Sequence, residues 1–174
     1  MRGIDPARPD DLQTVRGQSA VATTPGRVES VHLLPEQPPA RPEAVEAVRA
    51  ADWVVLGPGS WFTSVMPHLL VPDLAAALCE TTARRVLTLN LVSSDDETGG
   101  FSTTALVEVL ARHAPDLRFD VVLADPGVVT DRPALEQAAA ALGARLVVLP
   151  VAASFAAATH DPFRLAAAYR DLLR

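Results

Sequence analysis

Residues 54–64, with the sequence VVLGPGSWFTS, change abruptly from an apolar run typical of a buried strand to glycines and hydroxyl side chains. A bound phosphate needs backbone N–H groups that it can approach closely, and side chains at Gly57 and Gly59 would block that approach. Three hydroxyl side chains offer further hydrogen-bond donors: Ser60, Thr63 and Ser64. The stretch therefore predicts a strand that ends in a phosphate-binding loop. The alternative is a strand-to-helix turn that uses Gly-Pro-Gly only for its geometry.

The composition limits the class of protein. The chain has 174 residues, of which 49% are hydrophobic, enough for the core of one domain or of one lobe of a larger protein. Its net charge of −6 argues against a broad nucleic-acid surface, because such binding relies on clustered positive charge. All 15 basic residues are arginine, which excludes a P-loop lysine, a Schiff-base lysine and a lysine general base.

Hydropathy and cysteine content bear on the compartment. The sequence contains no apolar run of the roughly 18 residues that a membrane-spanning helix needs. Residues 1–6 lack the hydrophobic region of a signal peptide, and the single cysteine, Cys79, makes no internal disulfide. We therefore expect a cytoplasmic protein without membrane contact.

The N-terminal part is weakly patterned. Residues 1–18 are polar and contain prolines, which predicts a poorly ordered or truncated segment ahead of an α/β domain that spans 19–174. Residues 19–23 and the alternating run 28–33 flank the sequence Thr-Pro-Gly-Arg, so we expect a β-hairpin with its turn at 24–27.

Strands and helices alternate from residue 42 onward. Apolar runs predict four strands, at 53–56, 86–91, 120–124 and 145–149. Amphipathic patterns predict helices at 43–50, 73–80, 102–113 and about 133–142, and a last helix that begins with Asp161 as N-cap and Pro162. Nearly continuous apolar strands are typical of parallel strands covered on both faces. The sequence thus predicts an α/β fold, a doubly wound and mostly parallel Rossmann-like sheet preceded by the N-terminal β-hairpin.

In such a sheet, the loops that follow the strands emerge at one edge, where ligands bind. Four loops are expected to meet there: 57–64, 92–101, 125–131 and 151–161. Asn90, at the end of its strand, has an amide suited to a base, sugar or phosphate edge. Asp125 suits a ribose hydroxyl or a metal ion, or else only forms a turn, and His160 suits a phosphate.

The second of these loops is acidic. Asp95, Asp96 and Glu97 would repel a bare phosphate unless a divalent cation lay between them. The alternative is a solvated loop whose charges favour the positive end of the following helix. The histidines have no metal-ligand spacing, and no Ser-His-Asp order can be assembled, so we assign no metal-binding and no catalytic residue.

Several motifs occur here in the order known from one family. They are Gly57-Pro58-Gly59-Ser60-x-x-Thr63-Ser64-x-x-Pro67, Leu69-Leu70-Val71-Pro72, Asn90-Leu91, Glu97-Thr98-x-Gly100-Phe101 and His160-Asp161. This order resembles the YvcK family, also called gluconeogenesis-factor or GlmR-like proteins, of the CofD-like superfamily. Its members open with a Gly-Gly-Gly-Thr-Gly turn that this sequence does not contain. The resemblance therefore implies the C-terminal part of a larger CofD-like fold, with a misplaced start codon as one explanation.

The resemblance also implies a function. It implies a regulatory protein that binds a nucleotide sugar of the UDP-N-acetylglucosamine class and is linked to cell-wall precursor supply, cell shape and carbon metabolism. The implied partners are this nucleotide-diphosphate ligand and a regulated enzyme, and we also expect a homo-oligomer; no other cofactor is assigned. Two alternatives stay open: a metal-dependent enzyme similar to the phospho-lactate transferases, and an incomplete lobe that is inactive without its N-terminal half.

The residues and the resemblance together predict one ligand site. Its members are Gly57, Pro58, Gly59, Ser60, Thr63, Ser64, Asn90, Glu97, Thr98, Asp125 and His160. Members of the family commonly carry an arginine just before the His-Asp pair, where this chain has Thr159. That exchange removes a charge-assisted contact with a diphosphate.

Overall fold

Two sheets organise the chain, which the computed structural model describes over residues 2–5, 8–22, 27–91, 101–154 and 159–172. The first sheet is antiparallel and consists of β1 (Arg2–Asp5), β2 (Arg8–Thr14) and β3 (Arg27–Ser30), with β1 in the centre. A short helix, α1 (Gln18–Ala22), lies between β2 and β3 in the sequence. The hairpin of the N-terminal part is thus formed by β1 and β2.

The hairpin predicted for 19–23 and 28–33 is wrong in its first arm, because residues Gln18–Ala22 form α1 and β3 pairs with β1. The small residues of this stretch have little strand preference of their own, so tertiary contacts decide its conformation. Val21 is only 7% exposed, and the Gln18 side-chain amide donates a hydrogen bond to the carbonyl oxygen of Thr63 at 3.2 Å. Most of the turn predicted at 24–27 lies outside the described residues.

The second sheet is parallel and holds the core. Its strands are β4 (Trp53–Leu56), β5 (Arg84–Thr88), β6 (Val121–Ala124) and β7 (Arg145–Val148), which are neighbours in that same order. The helices are α2 (Pro42–Ala50), α3 (Pro72–Glu80), α4 (Thr103–His113), α5 (Arg132–Ala141) and α6 (Pro162–Leu172). A π-helical turn (Trp61–Val65) and a 3₁₀ turn (Met66–Leu69) join β4 to α3. The predicted parallel α/β architecture is confirmed.

Side-chain caps fix where the later helices begin. Ser102 Oγ accepts a hydrogen bond from the N–H of Ala105 at 3.1 Å, and Asp131 Oδ1 accepts one from Ala134 at 3.0 Å. Asp161 Oδ1 accepts hydrogen bonds from the N–H groups of Phe163 and Arg164, which confirms its predicted role as an N-cap. These caps anchor the start of each helix close to the loop that precedes it.

Apolar side chains of the strands pack on both faces of the sheet. Leu87 and Val122 belong to a core cluster that includes Leu110 of α4 and Leu135 of α5, on the face where the crossover helices lie. Val86, Val121 and Leu123 belong to a second cluster with Ala168 and Leu172 of α6. The continuous apolar runs predicted that both faces of the sheet are covered. The loops that follow the strands emerge at the carboxyl ends of the strands.

Membrane-spanning length is not reached by any single helix among the described residues. One bent pair of helical segments among these residues, Trp61–Leu69 and Pro72–Glu80, is long and apolar enough for a membrane span when its two parts are taken together. The two parts meet at an angle of 76°.

Candidate functional site

The turn after β4 brings its backbone against the end of β5. Gly57 has φ +79°, and a Cβ atom there would lie 2.5 Å from the carbonyl oxygen of Thr88. A Cβ atom on Gly59 would lie 2.9 Å from Cβ of Ser64. No side chain fits at either position without movement of the neighbouring atoms. Turn geometry alone thus explains both glycines, and phosphate binding by this turn stays a prediction.

The π-helical turn that follows, Trp61–Val65, packs its apolar side chains into the core. Trp61, Phe62 and Val65 are 3%, 5% and 1% exposed. The Ser60 carbonyl oxygen accepts hydrogen bonds from the N–H groups of Ser64 at 2.8 Å and Val65 at 3.1 Å, so these two amides are engaged within the protein. Insertions of this kind are frequent at functional sites.

Three residues in and next to this turn carry hydroxyl groups. Ser60 Oγ and Thr63 Oγ1 form a short hydrogen bond with each other, and both residues are half-buried, whereas Ser64 is exposed. Pro58, between the two glycines, is also exposed. The predicted hydroxyl donors Ser60 and Thr63 therefore form a pair immediately after Gly59.

Thr88 and Tyr169 were missed by sequence reasoning. Thr88 is 1% exposed, and its Oγ1 forms a hydrogen bond of 2.8 Å with the Tyr169 hydroxyl, which ties α6 to the end of β5. Burial raises the pKa of Tyr169, and the bond to Thr88 offsets only part of this increase. The sequence offered one signal for this contact, a polar threonine inside the apolar run 86–91. Asn90 follows at the same strand end and is half-buried.

Asp125 holds two of the loops together. Its Oδ1 accepts a hydrogen bond from the N–H of Gly127 at 2.8 Å, and its Oδ2 accepts from Val151 at 2.8 Å and from Ala152 at 2.9 Å. Burial by itself would raise the pKa of Asp125, but these three backbone donors, with His160, lower it below its ordinary value. The geometry favours the turn-forming role, one of the alternatives that the sequence left open. Because the carboxylate also accepts hydrogen bonds from Val151 and Ala152, Asp125 acts as a clamp between the loops after β6 and β7.

His160 lies beside this clamp. It forms an isolated antiparallel bridge with Ala152, and its Nε2 atom is buried without a hydrogen-bond partner among the described residues. Burial lowers the pKa of His160, while the backbone of Leu89 and the carboxylate of Asp125 oppose this shift only in part. The imidazole is therefore held towards its neutral form, which has one N–H donor, one acceptor nitrogen and no positive charge.

The contacts join some residues of the predicted site, and its role in ligand binding stays a prediction. Gly57 touches Thr88 at the end of β5, and His160 joins Leu89, next to Asn90, to Asp125. Glu97 and Thr98, together with Asp95 and Asp96, lie outside the described residues. Within the described part of the chain, no group of three or more His, Cys, Asp or Glu side chains is placed to hold a metal ion.

Comparisons with known proteins agree with the predicted family. The family profile described as "2-phospho-L-lactate transferase CofD" matches residues 6–157. The proteins named "Putative gluconeogenesis factor" of Mycobacterium tuberculosis and Mycobacterium leprae are 50% and 48% identical, over 92% and 93% of this chain but only 48% and 46% of their own lengths. The chain thus spans about half the length of these curated relatives. The "Gluconeogenesis factor" of Halalkalibacterium halodurans is 35% identical over 60% of this chain and 32% of its own.

Solved structures agree with the fold. A crystal structure of a member of the UPF0052 family from Bacillus halodurans superposes with a TM-score of 0.77 and 25% identity, covering 96% of this chain and 57% of that chain. A second structure of a Bacillus halodurans protein gives a TM-score of 0.67 and 27% identity, over 84% of this chain and 50% of that chain.

The clash at Gly57 predicts an asymmetric effect of two matched substitutions. Gly17 also has a positive φ, +95°, but a Cβ atom there would meet nothing within 4 Å. We expect Gly17→Ala to lower the free energy of unfolding by about 1–2 kcal/mol, the cost of the backbone conformation, and Gly57→Ala to lower it by about 3 kcal/mol or more. Urea denaturation measures both, and equal losses would contradict the close approach to Thr88.

The environment of His160 predicts a pH dependence of stability. Because folding lowers its pKa, the unfolded chain takes up the proton first, so stability falls as the pH decreases below about 6.5, the ordinary histidine value. We expect His160→Gln to flatten this decrease between pH 7.5 and 5.5, measured by urea denaturation. The same replacement at the exposed His68 serves as the control for the exchange of a histidine for glutamine. If His160→Gln kept the slope of the wild type, folding would not lower the pKa of His160.

Proposed function

We propose that this chain, which belongs to the CofD family and to its gluconeogenesis-factor (YvcK) branch, binds the diphosphate group of a nucleotide sugar at residues 57–60. The ligand belongs to the UDP-N-acetylglucosamine class. The chain acts as a ligand-binding regulator linked to cell-wall precursor supply, cell shape and carbon metabolism. A regulated enzyme receives the signal, and the protein works as a homo-oligomer.

The observation that carries the proposal is the position and composition of the glycine turn. It follows β4 at the carboxyl edge of a parallel sheet, where ligands of such sheets bind. Gly57 and Gly59 carry no side chain that would keep a phosphate oxygen away from their amides. The hydroxyls of Ser60 and Thr63, which are hydrogen-bonded to each other, lie at the end of the same turn.

The charges at the carboxyl edge of the parallel sheet, here called the rim, favour recognition of a diphosphate by N–H and hydroxyl dipoles rather than by ion pairs. The lowered pKa of His160 disfavours its cationic form, and Thr159 stands exposed at the position before it. Backbone N–H groups and hydroxyls then carry the binding of the diphosphate.

A transferase is the second candidate, because the matching family profile is described as a phospho-lactate transferase. In that case a divalent cation would be held with the help of the acidic residues 95–97. Incubation with magnesium, a nucleotide-activated phospholactate donor and a hydroxyl-bearing acceptor would then move the phospholactate group to the acceptor hydroxyl and release the nucleoside monophosphate. The regulator predicts saturable binding of UDP-N-acetylglucosamine and no transferred product in this incubation.

Calorimetric titration with UDP-N-acetylglucosamine tests the proposal directly. We expect saturable binding, and we expect Ser60→Ala to weaken it about 10- to 100-fold, the loss of one hydrogen bond to a charged group. Thr82→Ala is the matched control, since this exposed hydroxyl precedes β5 at the opposite edge of the sheet. Absence of saturable binding, or an equal loss in both variants, would contradict the assignment.

Thr159 provides a gain-of-function test. Thr159→Arg restores the guanidinium group that relatives carry before the His-Asp pair, at an exposed position whose carbonyl oxygen is fixed by the N–H of Ala153 at 3.0 Å. We expect the affinity for UDP-N-acetylglucosamine to rise about 10- to 100-fold, with a smaller gain for uridine, which has no phosphate. An equal gain for both ligands would mean that the arginine does not meet the diphosphate.

A further inference from the structure

A cavity of about 510 Å³ opens between the N-terminal segment and the π-helical turn. It is lined by residues from 15–21, from 31–34 and from 62–67. Of the site residues that the structure describes, it shares Thr63 alone with the predicted nucleotide-sugar site. Its volume falls in the range of roughly 300–1,000 Å³ that is usual for sites of small molecules.

The walls of this cavity are mainly apolar. Val21 and Phe62 are 7% and 5% exposed, and Val31 and Leu33, which also line the cavity, are half-buried. Leu34, on the other hand, is 76% exposed and adds an apolar side chain that is open to water. These side chains provide a surface that an apolar ring or a short acyl chain would remove from water.

The polar side chains of the cavity are not acidic. Arg16, Gln18, His32 and Thr63 are among its lining residues, and no aspartate or glutamate of the described part of the chain lines it. Arg16 carries a permanent positive charge and a planar group that matches a carboxylate, sulfonate or phosphate. The cavity thus combines an apolar interior with a cationic group, in a protein whose net charge is −6.

The neighbouring turns give this cavity a fixed shape. Gln18 donates its side-chain amide to the Thr63 carbonyl oxygen at 3.2 Å, which ties α1 to the π-helical turn. Phe62, on that turn, makes an edge-to-face contact with Phe101 at 5.9 Å between ring centres. Both contacts hold walls of the cavity in place before any ligand arrives, which lowers the cost of binding.

We propose that this cavity binds a small amphiphilic organic anion, with Arg16 at the anionic group and the side chains of Val21, Val31 and Phe62 around the apolar body. The site is separate from the glycine turn, and it does not depend on nucleotide-sugar binding. An apolar molecule without charge fits the walls but forgoes the contact with Arg16.

A pair of fluorescent probes tests both parts of the proposal. The anion 8-anilinonaphthalene-1-sulfonate and the uncharged N-phenyl-1-naphthylamine share one ring system and differ in the sulfonate. We expect saturable binding of one sulfonate probe per chain, and an affinity about tenfold lower in Arg16→Gln, with less than a twofold change for the uncharged probe. Arg132→Gln, at an exposed residue paired with Glu136 on α5, is the control and leaves both affinities unchanged.

Filling the cavity supplies the complementary test. We expect Val21→Trp, and the smaller change Val31→Met, to reduce the binding of both probes, more strongly for the tryptophan. Near-ultraviolet circular dichroism and a cooperative melting curve establish that each variant is folded. More than one probe per chain, binding that neither filling variant reduces, or an equal loss of both probes in Arg16→Gln would overturn the proposal.

Discussion

The approach of Gly57 to the carbonyl oxygen of Thr88 is the constraint on which the rim of the sheet depends. A side chain at Gly57 would come within 2.5 Å of that oxygen, so the chain leaves β4 along a path that only glycine allows. The hydroxyl of the same Thr88 bonds to Tyr169, which positions α6. One residue at the end of β5 thus fixes the glycine turn on one side and a helix on the other.

The second half of the rim depends on Asp125. Its carboxylate satisfies three backbone donors from two loops, and two of these donors are buried amides that would otherwise lack a partner. His160 then lies between this carboxylate and the backbone of Leu89. The groups predicted for ligand contact therefore include some that the fold itself already uses, Gly57 and Asp125 among them.

The sequence predicted the features that local chemistry determines. Continuous apolar runs predicted parallel strands with helices on both faces, and Asp161 with Pro162 predicted the start of α6. Features that depend on distant partners were not predictable. Gln18–Ala22 becomes helical where it meets Thr63, 45 positions from Gln18, and Thr88 finds Tyr169 81 positions away. Asp125 was expected at the rim, but its three backbone donors come from loops whose paths no local pattern fixes.

Whether the amides of the glycine turn meet a diphosphate is tested most directly by nuclear magnetic resonance of the ¹⁵N-labelled chain. UDP-N-acetylglucosamine is added in one series, and uridine with N-acetylglucosamine, which lack the diphosphate, in another. The account predicts that the backbone amide signals of Gly57, Gly59 and Ser60 shift most in the first series and stay in place in the second. Shifts confined to residues away from this turn, or equal shifts in both series, would contradict it.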